Sequence, residues 1–551
     1  MISSLKEFDF KIYLAVGQDI RDNIIYNHIA KIPMLAPTLQ GTEYDWSLKT
    51  ITQNQSNWGL ELRQSNWPRG RLLGGSNAIN FMVHSWGAAD DWINSSYGLN
   101  WEIMKKYLQK IEACISCNQK RGKSGPLTVT KFDVENSPLA KAFIAALKKK
   151  NFSTEDYNSS EGDHVSGPVF SNIRGGKRVT NFDAFIGSRQ EEMSNVEIIK
   201  NAHVKRILIS KFNKTFAKVI ALEVIINKVK YTIWCKKEII LSAGVVGTPR
   251  ILLQSGIGDS DILKNLNIAP VLHLPLVGKN LKDQMQIPIY FYSNNSDIHL
   301  NLKRISSVAT VWNYFIRSKG PLATNAVELV IRNKNHHYML YNMATISKYP
   351  FAKVANIRDG IFEKIFPQTF SSPFKSGFII LASCLKPKSV GFVSIIRKST
   401  EEDDEHEFEP IIDPQYLTER FDVKCLRNAV IDMINFVQNS SHLKKCCNAT
   451  AYLPPFDHCQ LKNDTFNFSL SNRRYLNCWI RTAAMTAYHP TGTTSVDVLQ
   501  PDFKVKTLSN LRIVDASVLE TPISGPLNAP LTALAAYASQ VILSDYKTVY
   551  N

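Results

Sequence analysis

What the chain lacks bounds it first. No run approaches the ~18 apolar residues of a membrane-spanning helix, so no transmembrane helix is expected. Met1 to Lys11 is too polar to be a secretory signal. Glycine is scarce at the start: Gly17 is the only one before Gly41. That leaves no room for a G-x-G-x-x-G phosphate-binding turn in this stretch. Internal repeats and long linkers are absent. Lys and Arg outnumber Asp and Glu by 65 to 48, for a net charge of +17. They are scattered, with no basic stripe or reader motif, so nucleic acid is not an expected partner. Short clusters such as Lys148-Lys149-Lys150 read as solvated helix faces.

What is present describes a folded protein. The 551 residues are 44% apolar and 21% charged, ordinary for a globular chain. At about 150 residues per domain, roughly two to four domains are expected. About ten Asn-x-Ser/Thr sequons occur, including Asn94, Asn151, Asn158, Asn213, Asn439, Asn448, Asn463 and Asn467. Their excess favours a secreted, extracellular glycoprotein. Nine cysteines leave at least one without an intrachain partner if the rest pair. Cys114 and Cys117 form a C-x-x-C inside a helical pattern, with no second pair at metal spacing, so no metal is expected.

Apolar residues recur at helical spacing from Asn100 to Ile115. Strand patterns follow at Val196 to Ile199, Val204 to Ser210, Val219 to Ile226, Lys230 to Cys235 and Glu238 to Ser242. From Gln286 to Ile480 strands and helices mix without a nucleotide signature. A strand, Leu511 to Val514, and a helix, Leu531 to Asp545, close the chain. The acidic tract Glu401 to Glu405 reads as a hairpin tip. The fold class is α/β (mixed α+β), with a cofactor region at 1–285, a substrate domain at 286–480 and a return to the cofactor region at 481–551.

Four segments carry chemistry. Trp67-Pro68-Arg69-Gly70-Arg71-Leu72-Leu73-Gly74-Gly75-Ser76-Asn77-Ala78-Ile79-Asn80 is a glycine turn before an expected helix, a natural anion site. The bland reading is the turn alone. Ser242 to Gly258 is a strand, a small-residue turn and a helix that Thr248 can cap, with Pro249 at its first position. Ala487-Tyr488-His489-Pro490-Thr491-Gly492-Thr493 holds a histidine before a proline, which keeps it extended and suits a fixed general base. A lone histidine is more often structural. Val514-Asp515-Ala516-Ser517 and Ser524-Gly525-Pro526-Leu527-Asn528-Ala529-Pro530 precede the last helix, whose positive end favours negative charge. Asn528 there also suits a plain cap.

In this order and context the four segments resemble the glucose–methanol–choline (GMC) oxidoreductases, from about Ile32 to the C-terminus. The arthropod branch, with its glucose dehydrogenase (FAD, quinone) and ecdysone oxidase, is the nearest in look. The resemblance implies an FAD-binding domain and a substrate domain built on an antiparallel sheet with helices. It implies oxidation of a CH–OH group, of an alcohol or sugar, by hydride transfer to flavin, with quinone or oxygen as electron acceptor. His489 and Asn528 stand where the family keeps its catalytic pair. The cofactor is expected against Arg71, Gly74, Gly75, Ser76, Asn80 and Met82. Val204, Ala243 and Gly244 follow, then Asp515, Ala516, Asn528, Ala529 and Pro530. Cys459 and Cys478, at the ends of a sequon-rich loop, match a disulfide of the arthropod members.

The chain also departs from that family. Its members open with a strand, a glycine turn, a helix and a second strand ending in Glu, which holds the adenosine ribose. Here Phe8-Asp9-Phe10 resembles the start of the first strand, and Ile12 to Asp19 the end of the second. The intervening turn and helix are missing, and Ala15 or Val16 stands where the Glu is expected. Poor FAD binding and poor packing of Met1 to Lys31 are the expectations. An incomplete gene reading and a genuine degenerate member both account for this. The rival functions are a catalytically inactive, FAD-deficient secreted binding protein and a basic surface-binding protein. His84-Ser85-Trp86-Gly87 also replaces the family's aromatic–x–Arg–Gly.

Overall fold

The computed structural model describes residues 12–93, 95–159, 162–211, 217–343, 348–367, 376–398, 408–459, 469–495 and 497–550. Phe8 to Phe10, the tract Glu401 to Glu405, and the sequons at Asn94, Asn213, Asn463 and Asn467 lie outside them.

Two short parallel pairings form the cofactor side. Ile12–Ala15 lies along Val196–Ile199, with Ile12 opposite Val196 and Ala15 opposite Ile199. Ile239–Leu241 lies along Leu511–Ile513, so the C-terminal return docks beside a strand far earlier in the chain. Three of the five expected consecutive strands, Ala202–Lys211, Ala217–Ile226 and Val229–Trp234, make an antiparallel meander, while the other two lie outside it in the parallel pairs. Their bounds fall within two residues of the periodicity reading.

The antiparallel sheet of the substrate side has Met285–Ser293 and Ser376–Cys384 at its centre. His336–Tyr341, Val327–Arg332 and Val165–Pro168 continue it on one side. Thr450–Ala451 and Met485–Thr486 pair with the other edge of Met285–Ser293. The sheet thus takes strands from both sides of the 286–480 span. Its central strands are buried along their length, as at Val327–Arg332 and Ser376–Cys384. They read as continuous apolar runs rather than as alternation.

Five helices matter below. Helix α1 is Ile24–Lys31, α2 Trp101–Ile111, α3 Gly244–Gln254, α4 Val308–Arg317 and α5 Asn528–Tyr550. Asn23 caps α1, its side chain accepting from the Tyr26 N–H. Ala30 of α1 packs with Leu39, Tyr44, Leu72 and Ile79. Ile12 to Lys31 is therefore ordered structure, against the expectation of poor packing. Alternation in Ile12–Ala15 suffices for pairing, and α1 brings its own cap and buried face.

The helical pattern from Asn100 also ends early. Helix α2 stops at Ile111, and Glu112–Ile115 is a strand parallel to Leu127–Lys131. The cause is Glu112, which is fully buried and drawn into a polar network. It accepts from Arg121 at both oxygens (2.7 Å each), from the Gly122 N–H (2.9 Å) and from the Trp86 indole (3.1 Å). His84 Nε2 lies 3.0 Å away. The Arg121 guanidinium is sandwiched between Trp86 and Phe170, 4.7 and 4.5 Å from their ring centres. Burial pushes the Glu112 carboxyl up, but the bonds from Arg121 and His84 outweigh it and hold it at about 2.

Cys459 and Cys478 are disulfide-bonded, with Cα atoms 5.7 Å apart. Two further bridges join Cys114 to Cys117 and Cys384 to Cys425. The first lies at a strand end rather than in a helix. The second links a central strand to a helix 41 residues on, a separation with no sequence signal. Cys235, Cys446 and Cys447 are free thiols.

Replacing Glu112 with Ala leaves a buried guanidinium without its bidentate partner. Urea denaturation should show a loss of roughly 3–5 kcal/mol. A loss under about 1 kcal/mol would show that the network does not hold this region together.

Candidate active site

The four sequence segments converge on one cavity of about 980 Å³ between the two sides of the fold. Gly74, Ser76, Asn80, Met82, Gly244, Asp515, Ala516, His489 and Asn528 all reach its wall. Arg71, Gly75, Val204, Ala243, Ala529 and Pro530, expected against the cofactor, are not among its lining residues. The Arg71 guanidinium lies over the Trp46 ring at 4.8 Å. Val204 pairs with Val224 in the meander.

Local structure explains the convergence, with some changes from expectation. The stretch after Gly74 is a single 3-10 turn, Gly75–Ala78, and not an α-helix. Ser76 Oγ closes it by accepting from the Gly70 N–H at 3.2 Å. Gly70 must be glycine, because a Cβ there would fall 2.2 Å from the Gly75 carbonyl oxygen. Helix α3 begins at Gly244, so Pro249 lies inside it rather than at its first position. A proline at that point frees the carbonyl four residues earlier. That carbonyl, on Val245, accepts from Thr493 Oγ1 at 2.8 Å. The helix and the histidine segment are joined by the defect.

Asp515 closes the arrangement. One carboxylate oxygen accepts from the Gly244 N–H (2.9 Å) and Thr248 Oγ1 (2.6 Å). The other accepts from the N–H (2.8 Å) and Oγ (2.5 Å) of Ser517. Thr248 caps through Asp515 and the Ala243 N–H.

The protonation of His489 follows from its neighbours. The Gln284 amide nitrogen donates to the Leu385 carbonyl (2.8 Å) and the Ile523 carbonyl (2.7 Å). Both its protons are used, so Gln284 Oε1 is the atom 3.0 Å from His489 Nδ1. Nδ1 must carry the proton, which leaves Nε2 as an acceptor. The His489 N–H donates to Asp283 Oδ1 at 2.9 Å. Asp283 in turn accepts from Thr486 Oγ1 (2.6 Å) and the Tyr416 hydroxyl. Burial, with His337 and Arg69 nearby, holds the imidazole down at about 3.

Asn528 is held as firmly. Its amide nitrogen donates to Asn172 Oδ1 at 3.2 Å. Asn172 can only accept there, because its own amide nitrogen faces His84 Nδ1 (3.2 Å) and the Thr128 carbonyl (3.3 Å). Asn528 Oδ1 accepts from Asn181. One N–H of Asn528 remains for a ligand. The chain Arg121–Glu112–His84–Asn172–Asn528 links the buried ion pair to the site.

Sequence reasoning missed Asp283, Gln284, Asn172 and Asn181. No spacing marks them, because their role is to orient other side chains. Arg69 lay inside a quoted segment but without a role. It reaches the cavity wall, and its Nε and Nη2 have no partner among the described residues. Burial lowers its pKa.

The inner cavity suits a flavin. Gly244 has φ 79°, with open space where a Cβ would stand. The N-terminal ends of α3 and α5 both reach the wall, and Arg69, Lys110 and Arg189 line it. Asp515 is the one carboxylate among the lining residues, and its oxygens are taken. Where the strand Ile12–Ala15 meets the cavity, the lining residues are Leu14 and Val16, which offer no carboxylate. Gly17 serves chain packing, since a Cβ there would lie 2.4 Å from the Arg71 carbonyl oxygen.

The GMC oxidoreductase N-terminal and C-terminal family models match residues 49–286 and 387–535. The chain belongs to the GMC oxidoreductase family. Its members are FAD-dependent oxidoreductases. The chain is 27% identical over 542 residues to the neither inactivation nor afterpotential protein G of Drosophila melanogaster, covering 94% of this chain and 84% of that protein. Ecdysone oxidase of Spodoptera littoralis is 26% identical, covering 94% and 85%. The crystal structure of pyridoxine 4-oxidase from Mesorbium loti has a TM-score of 0.74 at 25% identity, covering 98% and 96%. That of formate oxidase shares the fold, with a TM-score of 0.81 at 18% identity, covering 99% and 96%.

Because His489 is already neutral, its capacity to accept a proton is lost only as pH falls through about 3. With FAD in excess, substrate-dependent reduction should stay flat from neutrality down to about pH 5. An acid limb near the ordinary histidine pKa would show that the folded site protonates His489 readily.

Proposed function

We propose that this chain oxidises the CH–OH group of a small alcohol or sugar with FAD as cofactor. The observation that carries the reading is the pairing of a neutral, tautomer-locked His489 with an amide-locked Asn528 on one cavity wall. Nε2 of His489 accepts the hydroxyl proton as general base. The free N–H of Asn528 donates to the same oxygen and opposes the charge that grows there. Gln284 and Asn172 hold both groups in place, so little reorganisation is needed as the proton moves. Bound FAD supplies the acceptor for the hydride leaving the alcohol carbon. Gly74, Ser76, Asn80, Met82, Gly244, Asp515 and Ala516 would hold it, with the start of α5.

The compounds for which relatives are named, choline, ecdysone and pyranose, differ widely in size. What their names support here is the functional group, while the glucose dehydrogenase-like branch rests on the motif resemblance. Either quinone or oxygen can serve as electron acceptor in this reading. Three disulfides, with exposed sequons at Asn151, Asn439 and Asn448, support a secreted glycoprotein. Asn158 is buried, its side-chain amide accepting from the Trp86 N–H and donating to the His84 carbonyl, so it is no glycan acceptor in the folded chain.

The test is flavin reduction by a panel of alcohols and sugars with FAD in excess. His489→Ala should slow reduction roughly a hundredfold or more. A tenfold or smaller loss would remove His489 from the role of base. No reduction by the unaltered chain would favour the inactive binding protein.

A further inference from the structure

Helix α4 is amphipathic in an unusual sense, because its apolar face points outward. Thr310 and Tyr314 are buried against the body of the protein. On the other side Val308 (85% exposed), Trp312 (67%), Phe315 (68%) and Ile316 (62%) form one stripe, with Val311 beside it. Their spacing of three, four, seven and eight residues places them on a single face. A contiguous stripe of this kind, carrying a Trp and a Phe, marks an interaction surface.

The charge around it is one-sided. No Asp or Glu occurs from 298 to 327, while Lys303, Arg304, Arg317 and Lys319 do, and all four are exposed. A neighbouring hairpin adds more. Gly176 is so close to the C-terminal end of α4 that a Cβ would lie 2.6 Å from the Ser318 carbonyl oxygen. Its flanking residues Arg174 and Lys177 are exposed. A protein partner would leave this basic rim to be matched pair by pair. An anionic lipid surface matches it as a whole, while aromatic and branched side chains enter the boundary between headgroups and acyl chains. The net charge of +17 adds long-range attraction.

We propose that α4 is an interfacial anchor that seats this protein on a membrane surface bearing anionic headgroups. The helix lies on the surface and does not span it. The segment after α4 leads toward the cavity. Asn325 donates to the Phe81 carbonyl at 2.7 Å, and Phe81 is on the cavity wall. The anchored face therefore lies next to a structural route into the site, an arrangement suited to an apolar substrate or electron acceptor drawn from the lipid. The anchoring itself does not depend on the proposed chemistry.

The experiment is co-sedimentation of the full chain with vesicles of phosphatidylcholine, with and without phosphatidylserine. Binding should require phosphatidylserine and weaken with salt. The exposed double variant Trp312→Glu/Phe315→Glu should retain its thermal melting profile and lose at least about tenfold in bound fraction. A fluorophore on Trp312→Cys should shift to the blue when vesicles are added. Failure to sediment with phosphatidylserine vesicles, or undiminished binding by the double variant, would overturn the proposal. So would a dimer in the absence of lipid that the double variant converts to monomer, since the stripe would then be an interface between copies.

Discussion

One fully hydrogen-bonded carboxylate fixes the relation between distant parts of this chain. Asp515 follows a strand that docks along Ile239–Leu241, and it bonds the first N–H of α3 across 271 residues of sequence. Its four bonds tie the start of α3 to the Ser517 turn on the cavity wall. The same turn leads to the loop before α5, which carries Asn528. A group taken out of water in this way is stabilising only when it is fully satisfied, and Asp515 is.

The proposed catalytic pair shows the same rule. His489 and Asn528 are each useful because a second amide has no freedom. Gln284 has both amide protons committed to backbone carbonyls, so it can present only an acceptor to His489. Asn172 has its amide nitrogen turned toward His84 and Thr128, so it can present only an acceptor to Asn528. Behind Asn172 stands the ion pair of Glu112 and Arg121, which has no solvent access. Rigidity is thus supplied by buried polar bonds, while the large sheet beside them supplies bulk and apolar burial.

Much of this was legible in the sequence because it is local. The meander, the last helix and the four small-residue segments declare themselves through periodicity and turn chemistry. His489 and Asn528 were singled out by the family resemblance, since their local contexts, a histidine before proline and an asparagine at a helix start, fit structural roles as well. What was hidden is long-range. Pro249 looked like a helix start, and only the Thr493 hydroxyl, far along the chain, explains how a helix tolerates it inside. Glu112 looked like the continuation of a helix, and only its burial with Arg121 turns it into a strand. Gln284 and Asn172 have no signature, because orienting another side chain requires no motif. The bridge from Cys384 to Cys425 depends on a strand meeting a helix.

The proposed cofactor site falls into two unequal halves. The inner half has a positive-φ glycine, two helix N-termini and an aspartate whose oxygens are all hydrogen-bonded. At the outer end, where the strand Ile12–Ala15 meets the cavity, Leu14 and Val16 face it with no carboxylate for an adenosine ribose. Binding energy should therefore come from the flavin and phosphate, with little from the adenosine. The direct measurement is a titration of the purified chain with FAD and, separately, with FMN, followed by flavin fluorescence. Binding should be weak, with FAD favoured by no more than about tenfold, or about 1.4 kcal/mol. A protein that purifies yellow with stoichiometric FAD, or that prefers FAD by several powers of ten, would contradict it.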